Sequence, residues 1–503
     1  MDTERLRRLS GRLLRLLVWF AILLALLLLA LAFESRKQPD LRRWHRLPLQ
    51  NEAVARDMRE AYDWSQYLRA EETVFRELSQ GMHGADLRGG YRYDPALRLG
   101  AQPGGRDWNR SQQHFPAQAR GAVLLLHGLT DSPYSLRHIA ALYERAGYAV
   151  IVPRLPGHGT VPAGLLGVQW QDWRAVVRVA ARELRARVGP DRPFHVVGYS
   201  NGAALALQYA MDAAESDEAS LPRPDRLVLL SPMIGIGRTA AVSRLLPLYG
   251  SIPYFEKSLW LEVQPEFNPY KYNSFPVNGV VQSHLLTSLI QAQLLRLQGS
   301  GAAGKLPPIL AFQSVLDSTV STRDVVDRLF AHWPAKGSEL VLFDINRASL
   351  LAPMLSHSAS GFAASLPGEG PHAYRLTWIV NRTPGSLDVD ERSVAAGESA
   401  ARVRRLGLAF PGSVYSLSHV ALPFPMHDSL YGLQPHADAD SGIHLGTIAL
   451  HGERGALVVG ADQLMRLNYN PFYPYLEARI AESLPGAQAS DVVFAGEAFS
   501  RTP

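Results

Sequence analysis

The sequence contains no cysteine. That excludes disulfides, thiolate nucleophiles and thiolate-bound metals. It also excludes a lipid-modified N-terminal cysteine, although it does not fix the compartment. Internal repeats are absent. Net charge is scarce over most of the chain. Residues 1–46 carry ten Arg or Lys against four Asp or Glu, so the formal net charge of +5 belongs to the N-terminus and the body is close to neutral. A basic footprint for nucleic acid is therefore lacking. What is abundant is apolar residue: 47% of 503, enough for a large core and against wholesale disorder. The length suits one large domain with insertions or two smaller ones.

Behind a basic tail (residues 1–15), Leu16 to Phe33 is an uncharged apolar run of eighteen residues, the lower end of what spans a bilayer. It is expected to anchor the chain in a membrane. Ala30-Leu31-Ala32 also offers a signal-peptidase site, which keeps a cleaved signal peptide as the alternative. Arginines flank the run on both sides, so the positive-inside count ties. A short N-terminal tail usually stays inside, which puts the body of a single-pass protein outside the cytoplasm.

Residues 34–120 form a linker and N-terminal extension. Asn51 to Gln80 has helical length and composition, and a short strand is possible at Tyr91–Tyr93. A regular alternation then begins. Strands are expected at Ala122–Leu126, Ala149–Val152, Phe194–Val197, Arg226–Leu230 and Ile309–Gln313. Helices are expected after Ser132-Pro133, over Trp170–Val188 and from Ala203. This predicts an α/β fold with a mostly parallel sheet covered by helices on both faces. The catalytic body would span 121–503. Two stretches interrupt it. Residues 235–304 are rich in aromatics, among them Tyr249, Tyr254, Phe255, Trp260, Phe267, Tyr270, Tyr272 and Phe275, and end in a helix near 280–298. They suggest a cap over a site, a small core of their own, or both. Residues 347–405 are low in pattern apart from Tyr374–Val380. A hairpin over 447–450 and 456–459 and a last helix from Tyr473 to Ser483 complete the expected elements.

Gly198-Tyr199-Ser200-Asn201-Gly202 lies between the fourth strand and its helix. A serine on such a strand-to-helix turn is lifted out of the sheet, and the helix N-terminus behind it favours negative charge. Ser200 is the candidate nucleophile. It needs a base, a group to orient that base, and donors for an oxyanion. The donors are the Asn201 N–H and, from the loop Leu126-His127-Gly128-Leu129-Thr130, the Leu129 N–H. Asp317, just past an apolar strand, is the candidate orienting acid, with Asp324 in reserve. His419, in Val414–Phe424, best fits a base that follows the acid in the chain. His357 and His427 are alternatives, and His357 lies at the more usual distance after a strand, here Leu340–Phe343. His127 is expected to brace its loop rather than react.

These residues resemble the α/β-hydrolase superfamily, nearest to its bacterial carboxylesterase and monoacylglycerol lipase branch. The resemblance is carried by His127-Gly128, by Pro153-Arg154-Leu155-Pro156-Gly157-His158-Gly159-Thr160, by the serine pentapeptide and by Asp317-Ser318-Thr319-Val320. It covers roughly 121–345 and resumes near His419. It implies hydrolysis of carboxylic esters through an acyl-serine, without metal or cofactor, under a cap that matches 235–304. The implied partner is a small-molecule or lipid-like ester. The resemblance also implies that His158 is structural. Two departures stand out: Asn201-Gly202 replaces the Met-Gly that many relatives carry, and about a hundred residues separate Asp317 from His419. A thioesterase, an acyltransferase, a peptidase or a non-catalytic binding protein would use the same framework.

Overall fold

The computed structural model describes residues 3–59, 61–84, 86–94, 105–216, 221–235, 253–334, 336–349, 371–434, 444–447 and 465–484. The expected hairpin (447–450 and 456–459), Tyr249 and His357 lie wholly or mainly outside them. Helix α1 (Thr3–Ser35) contains a segment, Gly11–Ser35, whose most apolar eighteen residues have a mean hydropathy of 3.0, long and apolar enough to cross a membrane. After a single helical turn at Arg43–Arg46, helix α2 starts only at Trp64 and runs to Met82, thirteen residues later than composition suggests. The cause is local. Asp63 accepts the Gln66 N–H at 2.7 Å, and Gln66 Oε1 accepts the Asp63 N–H at 2.8 Å. This reciprocal cap fixes the start of the helix. Tyr91–Tyr93 is a single 3-10 turn rather than a strand.

Ten strands form one sheet. In chain order they are β1 (Gln112–His114), β2 (Ala122–Leu126), β3 (Ala149–Val152), β4 (Phe194–Tyr199), β5 (Arg226–Leu230), β6 (Ile309–Ser314), β7 (Glu339–Phe343), β8 (Arg375–Asn381), β9 (Asp388–Val394) and β10 (Ala401–Ala409). Their spatial order is β1-β3-β2-β4-β5-β6-β7-β8-β9-β10. From β3 to β8 every pairing is parallel; β1 and the last two strands are antiparallel.

The parallel strands are short, apolar and buried on both faces, and their residues alternate between two cores. Leu124 and Leu126 of β2 face one core; Val123 and Leu125 face the other. The first core is roofed by α2 and by α4 (Trp170–Val188), α5 (Asn201–Glu215) and α6 (Val277–Gln298). The second is closed by α3 (Arg137–Arg145) and α7 (Tyr473–Ala481). Each fully buried Leu or Val contributes about 1.5–3 kcal/mol. The helix expected after Ser132-Pro133 begins as a 3-10 turn over Pro133–Leu136, and Ser132 makes no side-chain cap bond.

Residues 347–405 supply β8, β9 and the start of β10, which continue the sheet past β7. The chain then returns to the sheet's centre. Ser314 Oγ at the end of β6 donates to Leu417 O at 2.8 Å, and Asn346 Nδ2 just after β7 donates to Val414 O at 2.7 Å. Three extra strands and this return account for the long interval before His419. The N-terminal extension is tied down through Arg154, which is 1% exposed. Its guanidinium donates to both Glu52 oxygens, at 2.8 and 3.0 Å, and to His158 O at 3.0 Å. The Tyr67 hydroxyl donates to Arg154 O.

Candidate functional site

Ser200 sits between β4 and α5 at φ +55°, ψ −115°, a conformation rare for a side-chain-bearing residue. The flanking glycines are forced by close approach. A Cβ on Gly198 would lie 2.4 Å from Ala203 Cα, and one on Gly202 would lie 1.9 Å from Leu126 O. The turn is thus pressed against the end of β2, whose next residues carry Leu129. Asn201 opens α5, so its N–H is one of the four that have no acceptor within the helix. Its side-chain oxygen accepts from Ser283 Oγ at 3.0 Å. The asparagine that replaces methionine therefore tethers the serine turn to α6.

Asp317 and His419 come together. His419 Nδ1 and Asp317 Oδ2 are 2.8 Å apart, and both side chains are almost fully buried. The carboxylate is saturated: Gln313 Nε2 donates to Oδ2 at 3.2 Å, and the Thr319 and Val320 N–H groups donate to Oδ1 at 2.8 Å each. Burial pushes this carboxyl up. The charge and hydrogen bond of His419, with the two backbone donors, outweigh burial and hold it below its usual value. With Asp317 ionised, the hydrogen bond places the His419 proton on Nδ1 and leaves Nε2 as the basic nitrogen.

Leu129, Ser200 and His419 line one cavity of about 340 Å3. Phe267, Phe275 and Phe424 supply apolar wall. Tyr270, Tyr134, Phe424 and Tyr431 form a separate small aromatic core beside it, with Tyr134 and Tyr270 stacked at 4.0 Å. Of the described aromatics of 235–304, Phe267, Tyr272 and Phe275 thus wall the cavity, while Tyr270 packs into a core shared with Tyr134, Phe424 and Tyr431 rather than one of the segment's own. Among the described residues, no group of three or more His, Asp or Glu is placed to hold a metal.

The other candidates lie elsewhere. Asp324 pairs with Arg328 at 3.0 Å. The His427 ring meets that of His138, 5.5 Å away. His127 is buried between Gly128 O, 2.9 Å from its Nδ1, and the Leu155 N–H, 3.0 Å from its Nε2. Burial pushes its pKa down to about 3, so it is a neutral brace between the loops after β2 and β3. His158 is buried against His127, their rings 5.0 Å apart, and burial holds it well below its usual value. Sequence reasoning did not single out Gln313, which holds Asp317. Nor did it find Asp131 and Lys271, which are 3.6 Å apart in the cavity wall, or Arg466, which also lines it. None of these belongs to a spacing pattern; only the folded loops bring them together.

Residues 123–364 match the sequence model described as the alpha/beta hydrolase family. That segment contains Leu129, Ser200, Asn201 and Asp317; His419 lies beyond it. The thermostable monoacylglycerol lipase of Bacillus sp. (strain H-257) is 30% identical over 176 residues, 35% of this chain and 65% of that protein. The chain thus spans just under two thirds of this relative. Among solved structures, the metagenome-derived lipolytic enzymes LipS and LipT give 21% identity over 51% of this chain and 98% of theirs, at a TM-score of 0.38. The monoacylglycerol lipase of Paleococcus ferrophilus gives 16% identity over 50% and 98%, at 0.34. The matched segment, just under half of the chain, runs from β2 to beyond β7 of a parallel sheet covered on both faces, the arrangement of the α/β-hydrolase fold.

Proposed function

We propose that the protein is a membrane-tethered serine hydrolase that cleaves carboxylic esters through an acyl-serine intermediate. The observation that carries this reading is the 2.8 Å contact between Asp317 and His419 at the wall of the cavity that Ser200 enters from a strained turn. His419 Nε2 takes the Ser200 proton as Oγ attacks the ester carbonyl. Asp317 orients the imidazole and stabilises the imidazolium. The Leu129 and Asn201 N–H groups bind the oxyanion, each such donor lowering the barrier by about 2.7–4 kcal/mol. His419 then gives its proton to the departing alcohol, and water resolves the acyl-enzyme by the same steps in reverse. The aromatic wall suits the apolar acyl chain of a lipid-like ester, the kind of substrate named for the Bacillus relative.

Helix α1 is the proposed anchor, holding the body in the periplasm at the inner membrane. Leu28 is buried against Val277 at the start of α6, and the Phe33 and Phe255 rings meet edge to face at 5.5 Å. These contacts favour a retained segment over a cleaved one. A fluorophosphonate probe tests the chemistry. It is expected to label Ser200 in the wild type and nothing in Ser200→Ala, as read by peptide mapping. Folded wild-type protein that takes up no probe would sink the enzyme reading in favour of a binding protein.

A further inference from the structure

A second cavity, of about 710 Å3, lies on the other side of His419. It borders His419 but not Ser200, and its lining differs in kind from the aromatic first cavity. The hydroxyl-bearing residues Ser318, Tyr415, Ser416 and Thr447 line it, and among its described lining residues Arg466 is the one formal cation and no carboxylate occurs. Arg466 lines both cavities. Its guanidinium donates to Thr319 Oγ1 at 3.0 Å, and no carboxylate pairs with it among the described residues. The other cations near the site are compensated: Lys271 by Asp131, Arg137 by Asp428, Arg154 by Glu52.

We propose that this second cavity binds the alcohol portion of the substrate and that Arg466 selects an alcohol carrying a phosphate. The proposal rests on the serine-hydrolase reading. In that chemistry the leaving oxygen must reach His419 to receive its proton, so the alcohol extends past the imidazole while the acyl chain stays on the Ser200 side. The cavity beyond His419 is where that alcohol goes. A guanidinium with no carboxylate partner among the described residues, in a cavity that hydroxyl-bearing residues also line, matches a group that only accepts hydrogen bonds, carries full negative charge and presents several oxygens, which is a phosphate. The substrate class is then an acyl ester of a phosphorylated polyol of glycerol phosphate type. The products are the carboxylic acid and the free phosphorylated alcohol, with water supplying the hydroxyl and the proton.

Full-length protein in detergent is assayed on 1-oleoylglycerol 3-phosphate and on 1-oleoylglycerol. The wild type is expected to favour the phosphorylated ester in kcat/KM. In Arg466→Ala the ratio of the two kcat/KM values should fall by about 10- to 100-fold, mainly through KM, as expected for losing charge-assisted hydrogen bonds. Arg466→Lys should restore part of it. Glycerol 3-phosphate should compete with substrate in the wild type, with glycerol and inorganic phosphate far weaker. An unchanged ratio in Arg466→Ala, or a wild type that prefers the neutral ester, overturns the proposal. So does inhibition by inorganic phosphate as strong as that by glycerol 3-phosphate, which would mark a free-phosphate site. The inhibitor comparison needs no variant, so a misfolded Arg466→Ala leaves a decisive measurement. Fluorophosphonate labelling of Ser200 separates failure of this proposal from failure of the hydrolase reading.

Discussion

His419→Ala is expected to lower kcat for ester hydrolysis by roughly 10^4- to 10^6-fold, and Asp317→Asn by about 10^4-fold. The two effects should not add. Ser200, His419 and Asp317 act as a unit, so the double variant should be little slower than His419→Ala alone. The asymmetry between the single variants follows from geometry. Removing the imidazole removes the only proposed route for the serine proton. Replacing Asp317 by Asn keeps an acceptor for the Thr319 and Val320 N–H groups, which meet Oδ1 at 2.8 Å. It loses the charge on Oδ2, which faces His419 Nδ1 at 2.8 Å. An amide –NH2 there would favour the wrong imidazole tautomer, with the proton on Nε2. Steady-state kinetics on a short neutral ester, together with the rate of fluorophosphonate labelling, reads both. A His419→Ala enzyme within tenfold of the wild type would move the base to another histidine. His427 is poorly placed for that, since its ring packs against His138.

The parts of the fold that were legible in the sequence are those where apolar periodicity and turn chemistry agree. β2 to β6 are short, mostly apolar runs with Gly or Pro close by, and α4 spans Trp170–Val188 as its apolar stripe predicts. Past β6, Leu340–Phe343 and Tyr374–Val380 read as strands, whereas β9 and β10 at the edge were not legible because they are held by charge. Glu391 of β9 is buried, bonded to Arg404 of β10 and to the Tyr475 hydroxyl at 2.9 Å. Such strands carry Arg, Asp and Glu where a buried strand would show Val or Ile, so the alternation is hidden until the partners are known. The same applies to Arg154. Its motif was visible, but its counter-charge is Glu52, about a hundred residues earlier, and no spacing rule connects the two. In the candidate site, Ser200, Asn201 and Leu129 lie in local motifs that fix backbone direction. Asp317 and His419 were reached by chain order. Gln313, Asp131 and Arg466 have no local signature.

Asp428→Asn is expected to cost about 3–5 kcal/mol of stability, with a fall in Tm of roughly 5–10 °C at neutral pH. Asp428 is fully buried. Its Oδ1 accepts the Leu430 and Tyr431 N–H groups at 2.9 and 2.8 Å and the Tyr134 hydroxyl at 3.0 Å. Its Oδ2 faces Arg137 at 2.9 Å and His138 at 2.8 Å. Burial lowers the His138 pKa to about 4, so His138 is neutral near pH 7 and Arg137 is the one counter-charge. An asparagine is nearly the same shape, yet its amide –NH2 would confront donors on the Oδ2 side. It would also leave a mostly buried guanidinium without an anion. Burial raises the Asp428 carboxyl, but Arg137, the His138 hydrogen bond and the backbone donors hold it far below its usual 3.8. The stabilisation is therefore fully present above about pH 4 and is lost as the pH falls towards the folded-state value. Wild type and variant should differ by a constant amount from pH 7 to about pH 5 and converge in stronger acid. Thermal unfolding at a series of pH values reads this directly. A gap that stays constant down to pH 2 would mean that packing, not charge, carries the cost. Tyr431 also walls the first cavity, and its N–H is held by Asp428. The variant should therefore raise KM for long-chain esters more than for short ones, which connects this buried pair to the shape of the acyl site.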